Sequence, residues 1–457
     1  MTIWKVYKMR WLLFLSDGVC GVILPIMLLG VGFFVTIRLR GFPFLHPKRT
    51  LQCLKTSREN HSMHASLKAV CMALGGTLGV GNIAGVALAL AYGGPGSLFW
   101  MWVSALLAML LKYAEVLLAT DSQKNADSPL SSRGSLAMDY LFWETGKRKR
   151  AKTLLFCLSC IGLSFVLGGM IQSAAIAEIC EATLEISPNV IGVLLCIAVF
   201  GIIFGGAKRI SGVIWRLIPL ATLLYIILTV GVILTHLKAL PRVLLLVFSS
   251  AFSGRSMVGG ALGYSWILAL RVGCSRGLLS NEAGCGTAPM AHATSNNTSP
   301  QAQGILGIFE VFVDTILLCS LTGLSILCAN VSLTHAGGGM GIVGEALRTT
   351  WGKGAELWLC ICVILFGLST ILCWSFYGNV AISRLSLHPM YIGLFRVAFC
   401  LSLFFGACFE VRMIWSLCDI LLTILTMVNL SAILHHIPRI EKKTREFGLI
   451  QPKPPKK

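Results

Sequence analysis

Charge is what this chain has least of. Of its 457 residues only 12% are Asp, Glu, Lys or Arg, about half the share of a soluble domain. Acidic residues are the scarcer kind, 19 against 38 basic ones. A chain so poor in charge and 56% hydrophobic is excluded from the ordinary soluble class. The surplus of +19 would suit nucleic acid if it covered a folded surface. It is confined instead to particular loops and to the tail RIEKKTREFGLIQPKPPKK, the bias of cytoplasmic loops in membrane proteins, so no nucleic-acid partner is expected. Metal-ligand patterning is lacking as well: no His-x-x-x-His or His-Glu pairing suggests zinc. The 17 cysteines lie mainly in apolar runs such as those holding Cys157, Cys160, Cys360, Cys362 and Cys373. There they serve as small buried hydrophobes, so free thiols are expected, with neither a disulfide framework nor a metal site. A cleavable leader is not evident either, because the apolar run after KVYKMR is too long and lacks a small-residue cleavage site.

What the chain has in abundance is apolar length. Uncharged runs near the roughly 20 residues that cross a bilayer recur from end to end. They predict an all-α polytopic membrane protein of about eleven transmembrane helices. The spans are expected at about 12–36, 66–92, 96–119, 152–178, 189–204, 213–236, 257–293, 303–329, 355–379, 389–408 and 412–436. LPRVLLLVFSSAF at 240–252 is too short to cross and predicts a surface helix.

The basic loops set the orientation. Arg38, Arg40, Lys48, Arg49, Lys55 and Arg58 precede the second span; Arg133 and GKRKRAK follow the third; Lys208, Arg209 and Arg216 sit near the fifth and sixth. With eleven crossings these loops and the tail share one side, which the positive-inside rule makes cytoplasmic. The C-terminus is then cytoplasmic and the N-terminus outside, against the local vote of Lys5, Lys8 and Arg10.

Two stretches interrupt the apolar pattern. GGTLGVGNIAGVALALAYGGPG, Gly75 to Gly96, carries Gly75, Gly76, Gly79, Gly81 and Gly85 with Asn82 among them. Each glycine inside a helix costs roughly 0.8–1 kcal/mol relative to alanine. Close helix packing of the Gly-x-x-x-Gly kind is one reading; a dinucleotide loop is excluded by spacing and by the lack of a preceding strand. RGLLSNEAGCGTAPMAHATSN, Arg276 to Asn296, is the second, with Gly284, Gly286 and Pro289 around Ser280, Asn281 and Glu282. Irregular backbone at membrane depth is tolerated only where it lines a cavity or is buried in protein. Two broken spans, five spans apart, are the pattern of an inverted-repeat transporter. The organisation expected is an extra N-terminal helix (1–37), a basic loop (38–65), a five-helix half (66–236), a surface connection (237–256), a second five-helix half (257–436) and a basic tail (437–457).

At these residues the sequence resembles the alanine/glycine:cation symporter family. The resemblance is carried by GTLGVGNIAGVALALAYGGPGSLFWMW, ALRVGCSRGLLSNEAGCGTAPMAHATSNNTSPQAQGILGIFEVFVDTILL, GGMIQSAAIAEI, FGGAKRISGVIWRLIPLATLLY and FGLSTILCWSFYG, and runs from about residue 20 to 437. It implies the leucine-transporter-like 5+5 inverted-repeat fold in a bacterial inner membrane. The activity it implies is symport of a small neutral amino acid such as alanine or glycine with a cation, usually Na+. By that resemblance Thr77, Gly79, Val80, Gly81, Gln172, Leu279, Ser280, Gly284, Thr370 and Trp374 would face the substrate. Gly75, Thr77, Leu78, Asn82, Ser369 and Thr370 would supply the oxygen ligands that a hard cation requires. Val80 stands where the family usually has threonine and Leu279 where it often has phenylalanine. SSRGSLAMDYLF replaces the usual glycine-proline-methionine-tyrosine motif. These departures bear on substrate identity.

The remaining polar residues leave alternatives open. Glu282 suits a gate or substrate-amine partner, or a cap for the following half-helix. Asp419 is a charge in an apolar span and so a gate or ion-path candidate, or a structural one. Glu115, three residues after Lys112, reads as a helix-face ion pair. Glu310 and Asp314, four apart, read as structural, and His292 as packing or capping. Trp100 and Trp102 read as interface-belt residues. A proton-coupled permease for a larger neutral amino acid is the alternative within transport, with Asp419 or Glu282 titrating. An intramembrane enzyme lacks a nucleophile–base pair or metal cluster, and a sensor lacks an output domain. No cofactor is expected beyond the co-transported ion.

Overall fold

The computed structural model describes residues 21–52, 63–122, 130–252, 266–295, 299–334, 338–386, 388–408 and 412–450, with 63–64, 130–133 and 412–413 as backbone alone. Residues 12–20 and 257–265 of two expected spans lie outside the described residues, as do Lys5, Lys8, Arg10, Lys55, Arg58 and the last seven residues of the tail.

Among the described residues the chain is helical, with no strand. Besides the short helices Phe42–Leu45 and Leu130–Ala137, the α-helices are in order α1 (Gly21–Arg38), α2 (Met63–Thr77), α3 (Ala84–Gly93), α4 (Gly96–Asp121), α5 (Gly146–Leu163), α6 (Gln172–Leu184), α7 (Pro188–Ile203), α8 (Gly206–Thr235), α9 (Leu240–Ser250), α10 (Trp266–Asn281), α11 (Ala288–His292), α12 (Pro300–Val311), α13 (Ser320–Cys328), α14 (Gly338–Trp351), α15 (Ala355–Leu385), α16 (Pro389–Cys408), α17 (Arg412–His435) and α18 (Ile437–Glu446). Among the described residues, eight continuous helical stretches are long and apolar enough to cross a membrane. The expected span at 66–92 is two helices, α2 and α3, and the described part of that at 257–293 is α10 and α11. The glycine-rich stretch before 355, assigned to no span from sequence, forms the amphipathic helix α14.

The core centres on α4, mostly apolar and 83% buried along an 18-residue window, as a helix enclosed by other helices should be. It packs against α10 and α12. Helices α1, α8 and α16 are far less buried and carry the outward leucines, isoleucines and phenylalanines that a bilayer would cover. The four broken pieces pair in a telling way: α11 packs on α2, and α10 packs on α3 and on the turn at Val80–Asn82. The first broken helix runs from α2 to α3 and the second from α10 to α11, so the start of each lies against the end of the other and the segments run antiparallel.

Two intact helices widen where they pass the breaks. Ser164–Ile171, joining α5 to α6, and Phe312–Cys319, joining α12 to α13, are π-helical. Such turns free carbonyls and swing side chains around the axis, and they occur often at functional sites.

Basic ends gather on one side. Arg38 at the end of α1 pairs with Glu441 of α18. Asp121 at the end of α4 holds Arg439 and Lys443 of α18 at 2.7 and 3.1 Å. Arg384 near the end of α15 meets Asp139 at 2.6 Å.

Candidate functional site

The first break is a localised unwinding. After α2 ends, the Leu78 amide still donates to Leu74 O (2.7 Å), while the Gly79 amide turns back to Thr77 O (2.9 Å). Gly79 is extended, at φ −127° and ψ −160°, and Val80–Asn82 form a single tight turn into α3. Two side chains from other helices fill the gap. Thr370 of α15 donates to Leu78 O at 3.2 Å, and Gln172, the first residue after the π-helical segment, accepts from the Val80 amide at 3.1 Å. The other end of the Gln172 amide donates to Leu167 O at 3.3 Å, which fixes which way the group points. A methyl group at Gly79 would lie 2.8 Å from Thr370 Oγ1 and 3.0 Å from Gln172 Oε1. Only glycine admits both polar groups to the open backbone.

The second break turns on left-handed residues: Glu282 at φ 51°, Gly284 at 83° and Gly286 at 77°. A non-glycine residue there is strained by order 1 kcal/mol, so Glu282 must be held. Its carboxylate accepts from Trp374 Nε1 of α15 at 3.1 Å and from Thr287 Oγ1 at 2.9 Å. It is 1% exposed.

Between the breaks lies Asp314, fully buried in the second π-helical segment. Its carboxylate accepts from Asn82 Nδ2 (2.7 Å), Ser280 Oγ (2.6 Å) and Thr315 Oγ1 (2.7 Å). Asn82 also donates to Ser280 Oγ at 2.9 Å and to Asp314 O at 3.2 Å, and Asn281 Nδ2 donates to Thr315 Oγ1 at 3.0 Å. One carboxylate therefore joins the first break, the second break and α12–α13. The hydroxyl and carboxylate oxygens gathered here belong to the donor set of a hard cation, and an intramembrane carboxylate is by default a functional group.

A small cavity of about 10 Å³ lies at the breaks, lined by Gly76, Thr77, Gly79, Gly81, Leu167, Gln172, Leu279, Glu282, Thr370 and Trp415. That is about the space of one water. Six of the substrate candidates (Thr77, Gly79, Gly81, Gln172, Leu279 and Thr370) line it, and Glu282 with them. Others stand apart. Val80 contributes its amide to Gln172, and Trp374 reaches the site through Glu282. Ser280 and Asn82 turn to Asp314. Gly284 faces Leu430, Leu111 and Leu28 rather than the cavity, and Gly75 backs onto Ile214 of α8. Leu78 presents its carbonyl to Thr370, while the Ser369 hydroxyl is turned to Leu365 O of its own helix at 2.8 Å. Asp419 is half-buried on α17, one turn beyond Trp415.

Asp314, Trp415 and the π-helical segments were missed from sequence. The signal for Asp314 was present: it is an isolated carboxylate in FVDTILLC, and the reasoning applied to Asp419 covered it equally. Its four-residue spacing from Glu310 drew it into a supposed pair. In the structure the two acids face different neighbours.

Towards the basic end, beneath α11, lies a second buried network. Lys112 meets Glu310 at 3.2 Å and Glu115 at 3.8 Å. Glu310 bonds His292 at 2.9 Å, and His292 bonds Gln303 at 2.8 Å. Glu115 accepts from the Gly286 amide at 3.1 Å and from Asn429 at 2.7 Å, and Asn429 accepts from Tyr140 at 2.6 Å. The expected Lys112–Glu115 contact is thus one edge of a network tying α4, α11, α12 and α17.

The sequence model of the sodium:alanine symporter family matches residues 6–452. Among similar proteins, the probable sodium/glutamine symporter GlnT of Bacillus subtilis is 32% identical over 422 residues, 92% of this chain and 86% of that one. The sodium/alanine symporter AgcS of Methanococcus maripaludis is 31% identical over 451 residues, 95% of this chain and 96% of that one. Among solved structures, a manganese transporter of Eremococcus coleocola superposes with a TM-score of 0.51 at 13% identity, covering 80% of this chain and 76% of that one. At that identity the likeness is one of fold.

Proposed function

The chain belongs to the sodium:alanine symporter family, a family of multi-pass transporters rather than enzymes, and from that premise we propose that it couples inward sodium flow to uptake of a small neutral amino acid such as alanine or glycine. The observation that carries the reading is the arrangement around Val80. Its amide points into the opened backbone and is met by a carbonyl oxygen, Gln172 Oε1, at 3.1 Å. A substrate carboxylate would take that amide, and Gln172, turned about, would donate its own N–H to the carboxylate. The substrate ammonium faces Glu282 across the cavity. Leu279, Leu167 and Trp415 are the apolar residues lining the cavity, whose small size, about 10 Å³, supports a small side chain.

Sodium is assigned to the oxygens of Asp314, Ser280 and Thr315 and, once its amide turns from the Nδ2-inward setting to present Oδ1, to Asn82. Asp314 supplies the negative charge, so the cation is neutralised where it leaves water. Asn82 belongs to the same turn as Val80, and Ser280 lies two residues from Glu282, so filling the cation site stiffens both backbones that meet the substrate. That shared backbone is the coupling. Cation movement down a potential contributes about 2.3 kcal/mol per charge per 100 mV, enough with a chemical gradient to concentrate the substrate well over tenfold. The two halves read as inverted repeats, each opening with a broken helix, and the basic end, including the C-terminus, is assigned to the cytoplasm of a bacterial inner membrane.

The name of GlnT, a probable sodium/glutamine symporter, favours one second reading, a larger neutral substrate; proton drive in place of sodium is the other variant to be separated. Uptake of labelled alanine, glycine, serine and glutamine into proteoliposomes separates these, with sodium and proton gradients imposed in turn. Sodium-driven alanine or glycine uptake is expected. Glutamine uptake alone, or proton drive alone, would overturn the assignment.

A further inference from the structure

We propose that the concavity at the foot of α5 binds the headgroup of an anionic phospholipid. The inference concerns a site remote from the two breaks and does not depend on the transport reading. Its walls are the first turns of α5, with Gly146, Lys149, Arg150 and Leu154, and the end of α15, with Arg384 and Leu385; the volume is about 620 Å³. Three cations line it and no carboxylate does. Arg384 is held in place by Asp139 at 2.6 Å and lies 5.5 Å from the Phe142 ring. Lys152, one turn further along α5, is neutralised by Glu144 at 3.0 Å. Lys149 and Arg150 form no ion pair among the described residues, so the uncompensated charge sits at the cavity mouth. Helix α5 begins at Gly146 without a side-chain cap, and its first amides add to the anion-attracting field there.

Depth and polarity select a lipid as the source of the anion. Trp143 stacks on His435 at 3.7 Å with Lys152 5.0 Å from its ring; an aromatic in a basic setting at the helix ends marks the level of the headgroups. Arg150, Leu154 and Leu158 are spaced four apart and so share one face of α5. The two leucines are 50% and 53% exposed. A cation at the top of a bare apolar stripe matches a lipid, phosphate above and acyl chain below. Soluble phosphate would leave the stripe uncovered, and a zwitterionic lipid would bring its own cation to a site already rich in them. Basic pockets between helices at the cytoplasmic face take anionic headgroups for this reason. A lipid here would clamp the feet of two helical runs that reach the site, since α5 leads to Gln172 and α15 carries Thr370 and Trp374.

The test uses the full chain purified in a neutral detergent. Its thermal midpoint is followed on adding phosphatidylglycerol, phosphatidylcholine with the same acyl chains, or inorganic phosphate. Two double variants remove the same charge from the same run: K149Q/R150Q at the cavity and K147Q/R148Q outside its lining. Phosphatidylglycerol is expected to raise the midpoint by a few degrees, while phosphatidylcholine and phosphate leave it unmoved. The shift should vanish in K149Q/R150Q and survive in K147Q/R148Q. Equal loss in both variants would show diffuse attraction and overturn the site. An equal shift with phosphatidylcholine would remove the charge argument, and a shift with phosphate would make the ligand a soluble anion. If K149Q/R150Q fails to fold, native mass spectrometry of the unaltered protein decides: no preferential retention of phosphatidylglycerol over phosphatidylcholine overturns the proposal.

Discussion

Asp314 concentrates the energetics of the site into one side chain. A buried carboxylate needs compensation, because desolvating it costs several kcal/mol, and here the neighbours supply three hydrogen bonds. Asp314→Asn keeps the shape and most of that bonding while removing the charge that would balance a cation. Its expected signature is loss of sodium-driven uptake by at least tenfold with little change in thermal midpoint. Uptake that kept its sodium dependence in this variant would move the cation elsewhere. Gln172 makes a different prediction. Gln172→Ala leaves the Val80 amide open but removes the donor assigned to the substrate carboxylate, so KM should rise about tenfold, in the 0.5–1.5 kcal/mol range of one hydrogen bond, while the maximal rate changes less. A fall in rate at constant KM would sink that role. Gln172 was legible in the sequence through the GGMIQS match. Trp415 was not, since a tryptophan near the end of an apolar helix reads as a belt residue until the chain is folded.

At the scale of elements, glycine made the two breaks readable and π-helix formation made their partners unreadable. Glycine's cost in a helix is intrinsic, so five of them around Asn82 announce an unwound turn from sequence alone. A π-helical turn has no such residue signature: FVDTILLC scans as ordinary α-helix, and only tertiary packing decides that Asp314 and Thr315 both face inward. The same limit explains α14, whose stability comes from burying Met340, Ile342, Val343 and Leu347 rather than from length or propensity. The second break carries its own test at Gly286. Its φ of 77° is left-handed, and an added methyl would lie 3.1 Å from Asn429 Cγ. Gly286→Ala should therefore cost about 1–3 kcal/mol through backbone strain and disturb the Asn429–Glu115 bond. A lower midpoint in a thermal ramp is the readout, and an unchanged midpoint would mean that the turn does not need its glycine.

Across the whole molecule, the few charges are sorted by role, and that sorting was only half visible beforehand. The basic loops announced one face, and the structure gathers Arg38, Arg384, Arg439 and Lys443 with their acidic partners there. The buried network of Lys112, Glu115, Glu310 and His292 was read as separate local features, because its members are brought together by α4, α11, α12 and α17 rather than by spacing along one helix. It closes the basic-end side of the breaks with groups that cannot separate cheaply. Removing one partner of a buried ion pair typically costs about 3–5 kcal/mol, whereas removing the pair together costs far less. Lys112→Met should thus destabilise the protein strongly, since Glu115 and Glu310 are left as two uncompensated acids. Lys112→Met combined with Glu310→Gln should recover part of the loss, because the second change deletes one of the two stranded charges while keeping an acceptor for His292. Thermal midpoints of the two variants decide it: if the double variant is no better than the single one, the network is not held by charge balance, and the closure of this end has to come from the packing of α11 on α2 and α4.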